Sequence, residues 1–377
     1  MPNDKSVINQ SNPRLTGLDL ARGLAVVGMV LVNFVYVFSH DFVTNLELDP
    51  SYLDTLTPLA QGIVGAVLVG LAGRAAAVFL ILFGIGMTLQ TRRVGFCDNP
   101  GWAWPQVRRY LLLMLGGLAF IPLWEADILH FIGLYGLLAL PLVRLRTRWL
   151  AMIAGGLVFG SEIWRLAFDY QNGWQVGAVG SHYEDLWSLR GQFRQLFFNG
   201  YHPVFPWLSF VVFGLCLGRL DLQIRSILQR MFLAGAVAAV AGFVAFALGV
   251  PANFFPADTL FILLGLANAT WVIAMCLLIC LGINLPEDGN VINRIIRSMG
   301  RLALSHYPGH VWLGIIPVLL VRNDRTDMSF EGSFGFALIY LLITGIAGYF
   351  WLKHNSQGPL EKLLRQLASS SVFGKRP

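Results

Sequence analysis

Two pairs of residues in this sequence have the types and spacing that proton transfer requires. Asp127 and His130 stand three residues apart, and His306 and His310 stand four apart, so each pair shares one face of a helix. Histidine suits the role of a general base because its unperturbed pKa of about 6.5 lies near neutral pH. Both pairs stand in or beside long apolar runs, where an ionisable side chain lines a cavity, pairs with a carboxylate or relays protons. For the two later histidines, a hydrogen bond that simply joins two helices is the alternative.

A third group of polar residues lies in the stretch LDLARGLAVVGMVLVNF, which is apolar enough to enter a bilayer. At about 100° per residue, Asp19, Arg22 and Asn33 fall within about 60° of one another on one helix face. Charge at the centre of a membrane helix costs roughly 2.5–3.5 kcal/mol, so this stripe needs a polar partner. His40 falls on the same side if the helix continues. The alternative is an ion pair of Asp19 with Arg22 at the membrane interface.

Several arginines are candidates for binding carboxylates or phosphates. Arg74 begins an otherwise uncharged apolar run, so it either extends toward water or holds a carboxylate such as Asp127. Arginine binds phosphate well as a bidentate donor, and four arginines stand together in one loop. They are Arg92, Arg93, Arg108 and Arg109. The alternative is that these four residues only set the orientation of the chain in a membrane.

The elements that carry these residues are apolar helices. The chain of 377 residues is 56% hydrophobic and 13% charged, which is too apolar for a soluble domain of this length and is typical of an integral membrane protein. We predict an all-α polytopic helical bundle of about ten spans, with about nine to eleven as the range. The predicted spans are residues 17–38, 74–91, 108–124, 127–144, 149–168, 204–219, 231–250, 258–283, 300–321 and 333–353. The apolar, glycine-rich run 59–73 is a re-entrant or interfacial segment, or the first half of one long bent helix.

Loop charges orient the predicted bundle. Basic residues recur in every second loop and acidic residues in the opposite loops, so the positive-inside rule places both termini in the cytoplasm. The same rule explains the net charge of +6, and the absence of a separate basic face argues against nucleic acid binding. The predicted organisation is a cytoplasmic N-terminus (1–16), one transmembrane domain (17–354) and a cytoplasmic tail (355–377). In the external loop, about 169–203, apolar residues from Leu186 to Phe197 predict a helix lying in the outer interface.

Four stretches carry a family resemblance, in order along the chain. They are RLTGLDLARGLAVVGMVLVNF, RRYLLLMLGGLAFIPLWEADILHFIGLYGLL, NGYHPVFPWLSFVVFGLCLGR and GRLALSHYPGH. Together they resemble the transmembrane acyltransferases related to heparan-α-glucosaminide N-acetyltransferase and to the bacterial YeiB-like proteins. The resemblance implies an enzyme of the bacterial inner membrane that moves an acetyl or acyl group from cytosolic acyl-CoA to an acceptor across the membrane. It also implies that Asp19, Arg22 and Asn33 line or brace the donor path, and that His40, by its position after the first helix, is catalytic.

Acyl transfer requires a base for the proton of the acceptor and a donor that stabilises the oxyanion. We expect a polar cavity among the first, fourth and ninth helices, lined by Asn33, Asp127, His130 and His310, with His40 at its outer mouth. Acyl-CoA is the expected cosubstrate, and an external sugar, polysaccharide or glycolipid is the expected acceptor. No metal and no tightly bound cofactor are expected. Direct transfer in a ternary complex is favoured over a covalent acyl-histidine because it demands less of the geometry.

Two other functions remain open at this point. A transporter or exporter would use the same intramembrane His, Asp and Arg residues as a proton or substrate path. A non-catalytic partner in envelope assembly would need no chemistry. Only the transferase should bind acyl-CoA and release free CoA. The expected surroundings are the lipid bilayer, and a homodimer also remains open.

Overall fold

The structure is a computed structural model, and it describes residues 15–39, 54, 56–94, 100–177, 180–282, 290–321 and 328–369. Within these ranges the chain is a bundle of helices with one antiparallel hairpin of strands β1 (Trp174–Gly177) and β2 (Gly180–Tyr183). In chain order the helices are α1 (Thr16–Phe38), α2 (Pro58–Val64), α3 (Arg74–Val94), α4 (Ala103–Phe120), α5 (Leu129–Ala139), α6 (Thr147–Ala167), α7 (Leu189–Arg194), α8 (Val204–Leu217), α9 (Arg225–Ala247), α10 (Thr259–Gly282), α11 (Val291–Arg301), α12 (Ala303–Gly309), α13 (Ile316–Val321), α14 (Phe330–His354) and α15 (Pro359–Ser369). Wider π-helical turns follow α2 at Gly65–Leu71, α7 at Gln195–Asn199 and α12 at His310–Ile315.

Seven helical runs among the described residues are long and apolar enough to cross a membrane. They are Thr16–Phe38, Arg74–Arg92, Thr147–Ala167, Arg225–Ala247, Thr259–Gly282, Ala303–Val321 and Phe330–His354. An eighth is reached if α7 and α8, with the π turn between them, are counted as one span bent by 55°. The chain is an all-α polytopic membrane protein. Its long apolar runs are helical because a helix satisfies its own backbone hydrogen-bonding groups in lipid. Ten spans and cytoplasmic termini stay predictions.

The glycine-rich run before Arg74 does not continue into α3. Helix α2 and its π turn end at Leu71, and Gly73 then adopts a positive φ of 68°. A Cβ atom at Gly73 would lie 2.4 Å from the ring of Phe261, so the turn requires glycine for its conformation and for space. The run is therefore a separate short helix, and one long bent helix through these residues is not what the structure contains.

Helix α1 is the central element for the polar residues. It packs against α3, α10, α11 and α14, so its polar stripe faces other helices. Around it, α4 packs on α5, α8 packs on both α3 and α6, and α9 packs on α10. The core between α5 and α8 is aromatic and fully buried, with Phe131, Tyr135, Trp207 and Phe210. Van der Waals packing of this kind is the main force that joins helices in lipid.

Candidate functional site

A cavity of about 1670 Å³ runs through the bundle and is lined by residues of α1, α3, α4, α5 and α12. One end, which we call the basic end, contains Arg22, Arg109 and Arg301. The other end, which we call the hairpin end, contains Glu125 from the α4–α5 turn and His182 from β2. Along α1 the cavity wall extends from Arg22 to Val37, which is about 22.5 Å at 1.5 Å per residue. The cavity therefore reaches both ends of the helices.

Asn33 and His310 form a hydrogen-bonded pair at the wall of this cavity. The Asn33 Nδ2 atom lies 3.0 Å from His310 Nε2, and Asn33 lines the cavity while His310 is fully buried behind it. The His310 Nδ1 atom is hydrogen-bonded to the carbonyl of Tyr307, so Nδ1 carries the proton. The Nε2 lone pair then accepts from Asn33. The pair thus contains an oriented, neutral imidazole whose basic nitrogen lies one side chain away from the cavity.

The local fold around Pro308 brings His310 to this position. Pro308 lies inside α12 and removes a backbone N–H, and the wider π turn begins two residues later at His310. The indole of Trp124 meets the His310 ring edge-on, with ring centroids 5.7 Å apart. Because Trp124 lines the cavity, it separates part of the His310 ring from that space.

A second polar cluster, which we call the aspartate clamp, consists of Asp127, His130, Tyr307 and the backbone of Ile128. One oxygen of Asp127 accepts from His130 Nδ1 at 2.7 Å and from the His130 backbone N–H at 3.0 Å. Its other oxygen accepts from the Tyr307 hydroxyl at 3.0 Å, and that hydroxyl accepts from the Ile128 N–H at 2.9 Å. Asp127 and His130 are completely buried. The clamp ties the turn before α5 to α12.

The clamp depends on a close approach of α4 to α5. A Cβ atom at Gly117 would lie 2.2 Å from the backbone nitrogen of His130 and 2.5 Å from Asp127 Oδ2. Position 117 therefore requires glycine, because there is no room for a larger side chain. On the far side of the imidazole, Gln195 Nε2 lies 3.3 Å from His130 Nε2. Of the four residues expected to line the cavity, Asn33 does so, whereas Asp127, His130 and His310 do not. The catalytic role expected for Asp127 and His130 stays a prediction.

The stripe on α1 is divided between two neighbourhoods. Arg22 Nη1 donates to Asp19 Oδ1 at 3.1 Å, which is the intrahelical ion pair that the sequence left as an alternative. Asp19 is buried, whereas Arg22 also lines the basic end of the cavity. Asn33 lies eleven residues further along the helix, beside His310. The stripe therefore follows the cavity over most of its length.

Arg74 neither extends toward water nor holds Asp127, so both expectations for this residue are wrong. It is 7% exposed, and its guanidinium lies over the rings of Phe261 at 5.3 Å and Phe243 at 5.9 Å. Its polar contact within the described residues is the carbonyl of Ala72 at 3.4 Å. A cation can be retained in such a place because aromatic faces attract it.

His306 is also buried, but it lies beside Gly348 of α14. Its Nε2 atom has no hydrogen-bond partner among the residues that the structure describes, and His306 does not line the cavity. The expected place of His306 in the donor path therefore has no geometric support. His40 lies outside the described residues, so its role stays a prediction.

The four arginines predicted to share one loop lie on helices α3 and α4 instead, and they do not act as one group. Arg92 Nη2 donates to the carbonyl of Arg219 at 2.6 Å, and Arg108 lies over the ring of Trp104 at 5.8 Å. The side chain of Arg93 lies outside the described residues. Of the three arginines that can be compared, Arg109 is the one that reaches the cavity. Arg301 stands at the same basic end, and sequence reasoning did not single it out, although it lies at the start of the predicted span 300–321.

The hairpin end contains a second pair that sequence reasoning missed. His182 Nδ1 is hydrogen-bonded to Glu125 Oε1, and both residues line the cavity. The hairpin is held by Tyr183, whose hydroxyl donates to Asn199 Oδ1 at 2.8 Å and accepts from Arg194 Nε at 2.7 Å. Burial raises the pKa of Tyr183, so the phenol stays neutral in these two bonds.

The external helix begins later than expected. Helix α7 begins at Leu189, so Leu186 precedes it and is buried in the hairpin cluster. Leu189 is 92% exposed and Phe193 is 57% exposed, while Arg194 is turned inward to Asp185 at 2.5 Å. Helix α7 and the π turn after it run to Asn199, so the predicted apolar face begins at Leu189 and not at Leu186. Arg194 is thus a structural contact within the external loop.

Two protein families match parts of this chain. Residues 14–251, more than half of the chain, match the family described as heparan-alpha-glucosaminide N-acetyltransferase, catalytic. The chain belongs to this family. Residues 220–371 also match a family of proteins of unknown function, DUF418. The protein is thus an integral membrane member of an acetyltransferase family.

Two relatives within this YeiB-like group have been named without a function. The chain is 27% identical over 195 residues to the uncharacterized protein YeiB of Escherichia coli (strain K12), which is 46% of this chain and 45% of YeiB. It is 26% identical over 170 residues to the uncharacterized protein YxaH of Bacillus subtilis (strain 168), which is 43% of this chain and 41% of YxaH. The matched region thus spans less than half the length of each relative. No solved structure matches the chain.

The site joins the two matched regions of this acetyltransferase family member. Asn33, Asp127 and His130 lie in residues 14–251, whereas Tyr307 and His310 lie in residues 220–371. The Asn33–His310 bond and the Asp127–Tyr307 bond both cross from one region to the other. Neither region alone contains the site.

Proposed function

We propose that this protein is a membrane acyltransferase that moves an acetyl or other acyl group from acyl-CoA, at the basic end, to an acceptor that enters from the hairpin end. The observation that carries the proposal is the cavity that reaches both ends and has Asn33, paired with His310, at its wall. The family to which the chain belongs gives the reaction class. The basic end faces the cytoplasm, where acyl-CoA is made, in agreement with the positive-inside rule.

The donor binds at the basic end. Arg22, Arg109 and Arg301 line the cavity there, and guanidinium groups recognise phosphate through paired hydrogen bonds. Of the four arginines that the sequence suggested for phosphate binding, Arg109 keeps this role. Arg22 and Arg301 take the place of the other three. The acyl-pantetheine arm then extends along α1 toward Asn33.

The reaction takes place beside Asn33. The acceptor hydroxyl or amine displaces the Asn33 amide from His310 Nε2, which accepts the proton as the acceptor attacks the thioester carbonyl. A new C–O or C–N bond forms, and the Asn33 N–H donates to the oxyanion. The C–S bond then breaks, and the protonated His310 returns the proton to the CoA thiolate. If His40 is the base instead, Asn33 keeps the oxyanion role.

The hairpin end has the lining that a carbohydrate requires. Trp124, Trp187 and Tyr201 offer aromatic faces, and Asn253 and Glu125 offer polar groups. Aromatic side chains with a few polar groups at a water-filled mouth suit an external sugar, polysaccharide or glycolipid. Both named relatives come from bacteria, so the bacterial inner membrane is the proposed location.

The test is the release of CoA by the purified full-length protein. The protein in lipid nanodiscs is incubated with isotope-labelled acetyl-CoA and an extract of envelope glycans, and free thiol and labelled glycan are measured together. We expect both products from the wild type and neither from Asn33→Ala. The matched control Asn355→Ala, outside the cavity after α14, should behave as the wild type. Mass spectrometry of envelope glycans with and without the gene identifies the acceptor.

A transporter is the second candidate, because a cavity that reaches both ends of the bundle also suits alternating access. The two functions differ in the fate of the thioester. A transporter would move label across a vesicle membrane without releasing CoA. If the wild type releases no CoA with any acceptor mixture, the transferase proposal fails and a transporter becomes the favoured function.

A further inference from the structure

The C-terminal helix α15 is docked on the bundle. Leu364 and Ala368 are buried, and α15 packs on α4 and α12. The turn that leads to it is held from both sides, since Arg301 Nη2 donates to the Ser356 carbonyl at 3.1 Å and Trp351 Nε1 donates to the Gln357 carbonyl at 2.9 Å. The described part of the predicted tail, including α15, therefore packs as part of the helical bundle.

Glu361 of α15 supplies the N-terminal cap that α12 lacks. Helix α12 restarts at Ala303, and its own N-cap residue makes no side-chain hydrogen bond. The first N–H groups of a helix need acceptors from elsewhere. Glu361 Oε1 accepts the backbone N–H of Ser305 at 3.1 Å, and Glu361 Oε2 is hydrogen-bonded to the Ser305 hydroxyl. A carboxylate is also the group that a helix N-terminus favours.

The contact is reciprocal between the two helices. The Leu360 N–H, in the first turn of α15, donates to Ser305 Oγ at 3.2 Å. Each helix thus caps the start of the other, through one glutamate and one serine. Ser305 is 56 positions from Glu361 in the chain, so the contact joins α15 to α12, the helix that leads to His310.

The same side chain stands at the basic end of the cavity. Glu361 and Leu364 line it, together with Arg301 from the junction before α12. One and two residues beyond Ser305 in this helix come His306 and Tyr307, and His310 follows in the π turn. A displacement of the first turn of α12 would therefore move the partners of Asn33 and of the aspartate clamp.

We propose that Glu361 is a positioning residue, which caps α12 in trans so that docking of the C-terminal helix sets the place of His310 and closes the wall of the donor mouth. The effect on turnover rests on the proposed function. The effect on α12 does not, and the two can be measured separately.

The test compares Glu361→Ala, Glu361→Gln and the neighbouring exposed variant Lys362→Ala in the full-length protein in nanodiscs. Hydrogen–deuterium exchange of peptides covering residues 303–310 is measured by mass spectrometry. Loss of one cap should speed exchange in the first turn of α12 about fivefold in Glu361→Ala. Glu361→Gln keeps one oxygen for the Ser305 N–H and should exchange at an intermediate rate. Lys362→Ala should match the wild type.

The second readout is CoA release at several acyl-CoA concentrations. Glu361→Ala should raise KM and lower kcat together, because it disturbs both the donor mouth and the place of His310, and Glu361→Gln should recover part of each. Unchanged exchange in Glu361→Ala overturns the proposal. Faster exchange with wild-type turnover overturns the coupling to the site. If the wild type releases no CoA, the proposed function fails, and the exchange result alone decides whether Glu361 caps α12.

Discussion

The hydroxyl of Tyr307 offers a sharp test of the aspartate clamp. Tyr307→Phe removes one oxygen atom and leaves the ring, which packs edge-on against Phe120 at 6.2 Å and His310 at 5.7 Å between centroids. Two hydrogen bonds are lost together. The Ile128 N–H loses its 2.9 Å acceptor, and Asp127 Oδ1 loses its 3.0 Å donor.

The size of the effect follows from the burial of both partners. A buried N–H without an acceptor costs about 1–3 kcal/mol, and a bond to a charged group contributes about 1.5–3 kcal/mol. Asp127 is completely buried, so water cannot replace the lost donor without rearrangement. Allowing for some relaxation, we expect a loss of at least about 2 kcal/mol in the free energy of unfolding. At about 2.1 cal/mol/K per residue over 377 residues, that loss lowers the unfolding midpoint by about 2.5 °C or more.

The assay is thermal unfolding in one detergent, followed by tryptophan fluorescence, with Tyr340→Phe as the matched control. Tyr340 is a buried tyrosine on α14, and its hydroxyl makes no hydrogen bond to the described residues. Tyr340→Phe should therefore change the midpoint little. If the two variants unfold within about 1 °C of each other, the clamp does not hold α12 and the reasoning from these distances is wrong. CoA release should fall less than tenfold, because the imidazole of His310 is retained.

Three further predictions concern the reaction and the orientation. His310→Ala should lower CoA release by about 10²–10⁴-fold, as for a lost general base, while His354→Ala at the end of α14 should have no effect; equal rates would exclude His310. Arg109→Ala should raise KM for acyl-CoA with kcat little changed, since a phosphate contact is the same in the ground and transition states; an unchanged KM contradicts this role. A cysteine at Gln223 should react with an impermeant reagent from the cytoplasmic side and one at Glu184 from outside, and the reverse would overturn the orientation.

Much of the fold could be predicted because lipid imposes a simple rule. Long apolar runs must be helical, and the predicted spans overlap the helices of the described residues, with ends that differ by up to about six residues. The desolvation argument also brought Asn33 and His310 together, since each is unfavourable alone in lipid. It was less successful for Arg74, because aromatic rings took the place of the expected carboxylate.

The contacts that hold the site could not be predicted for a physical reason. Periodicity shows which face of a helix is polar, but it does not show which distant residue meets that face. Tyr307 reads as one more aromatic residue in an apolar run, although its hydroxyl binds Asp127 180 positions away. Glu361 reads as a charge on an exposed helix, although it reaches Ser305. Both depend on how helices pack, which a single sequence does not encode locally.

The π turn at His310–Ile315 has a consequence for comparing relatives. A π turn contains one residue more than an α-helical turn, so it behaves as a one-residue insertion whose ends stay in place. Deleting Val311 should convert it to α-helix, leave both flanking helices in place and shift the residues of the turn itself by one position. A relative that lacks this residue would therefore align well in both flanks yet present a different side chain to Asn33. Alignments through GRLALSHYPGH should be allowed a single gap at this point, and not be extended as a rigid block.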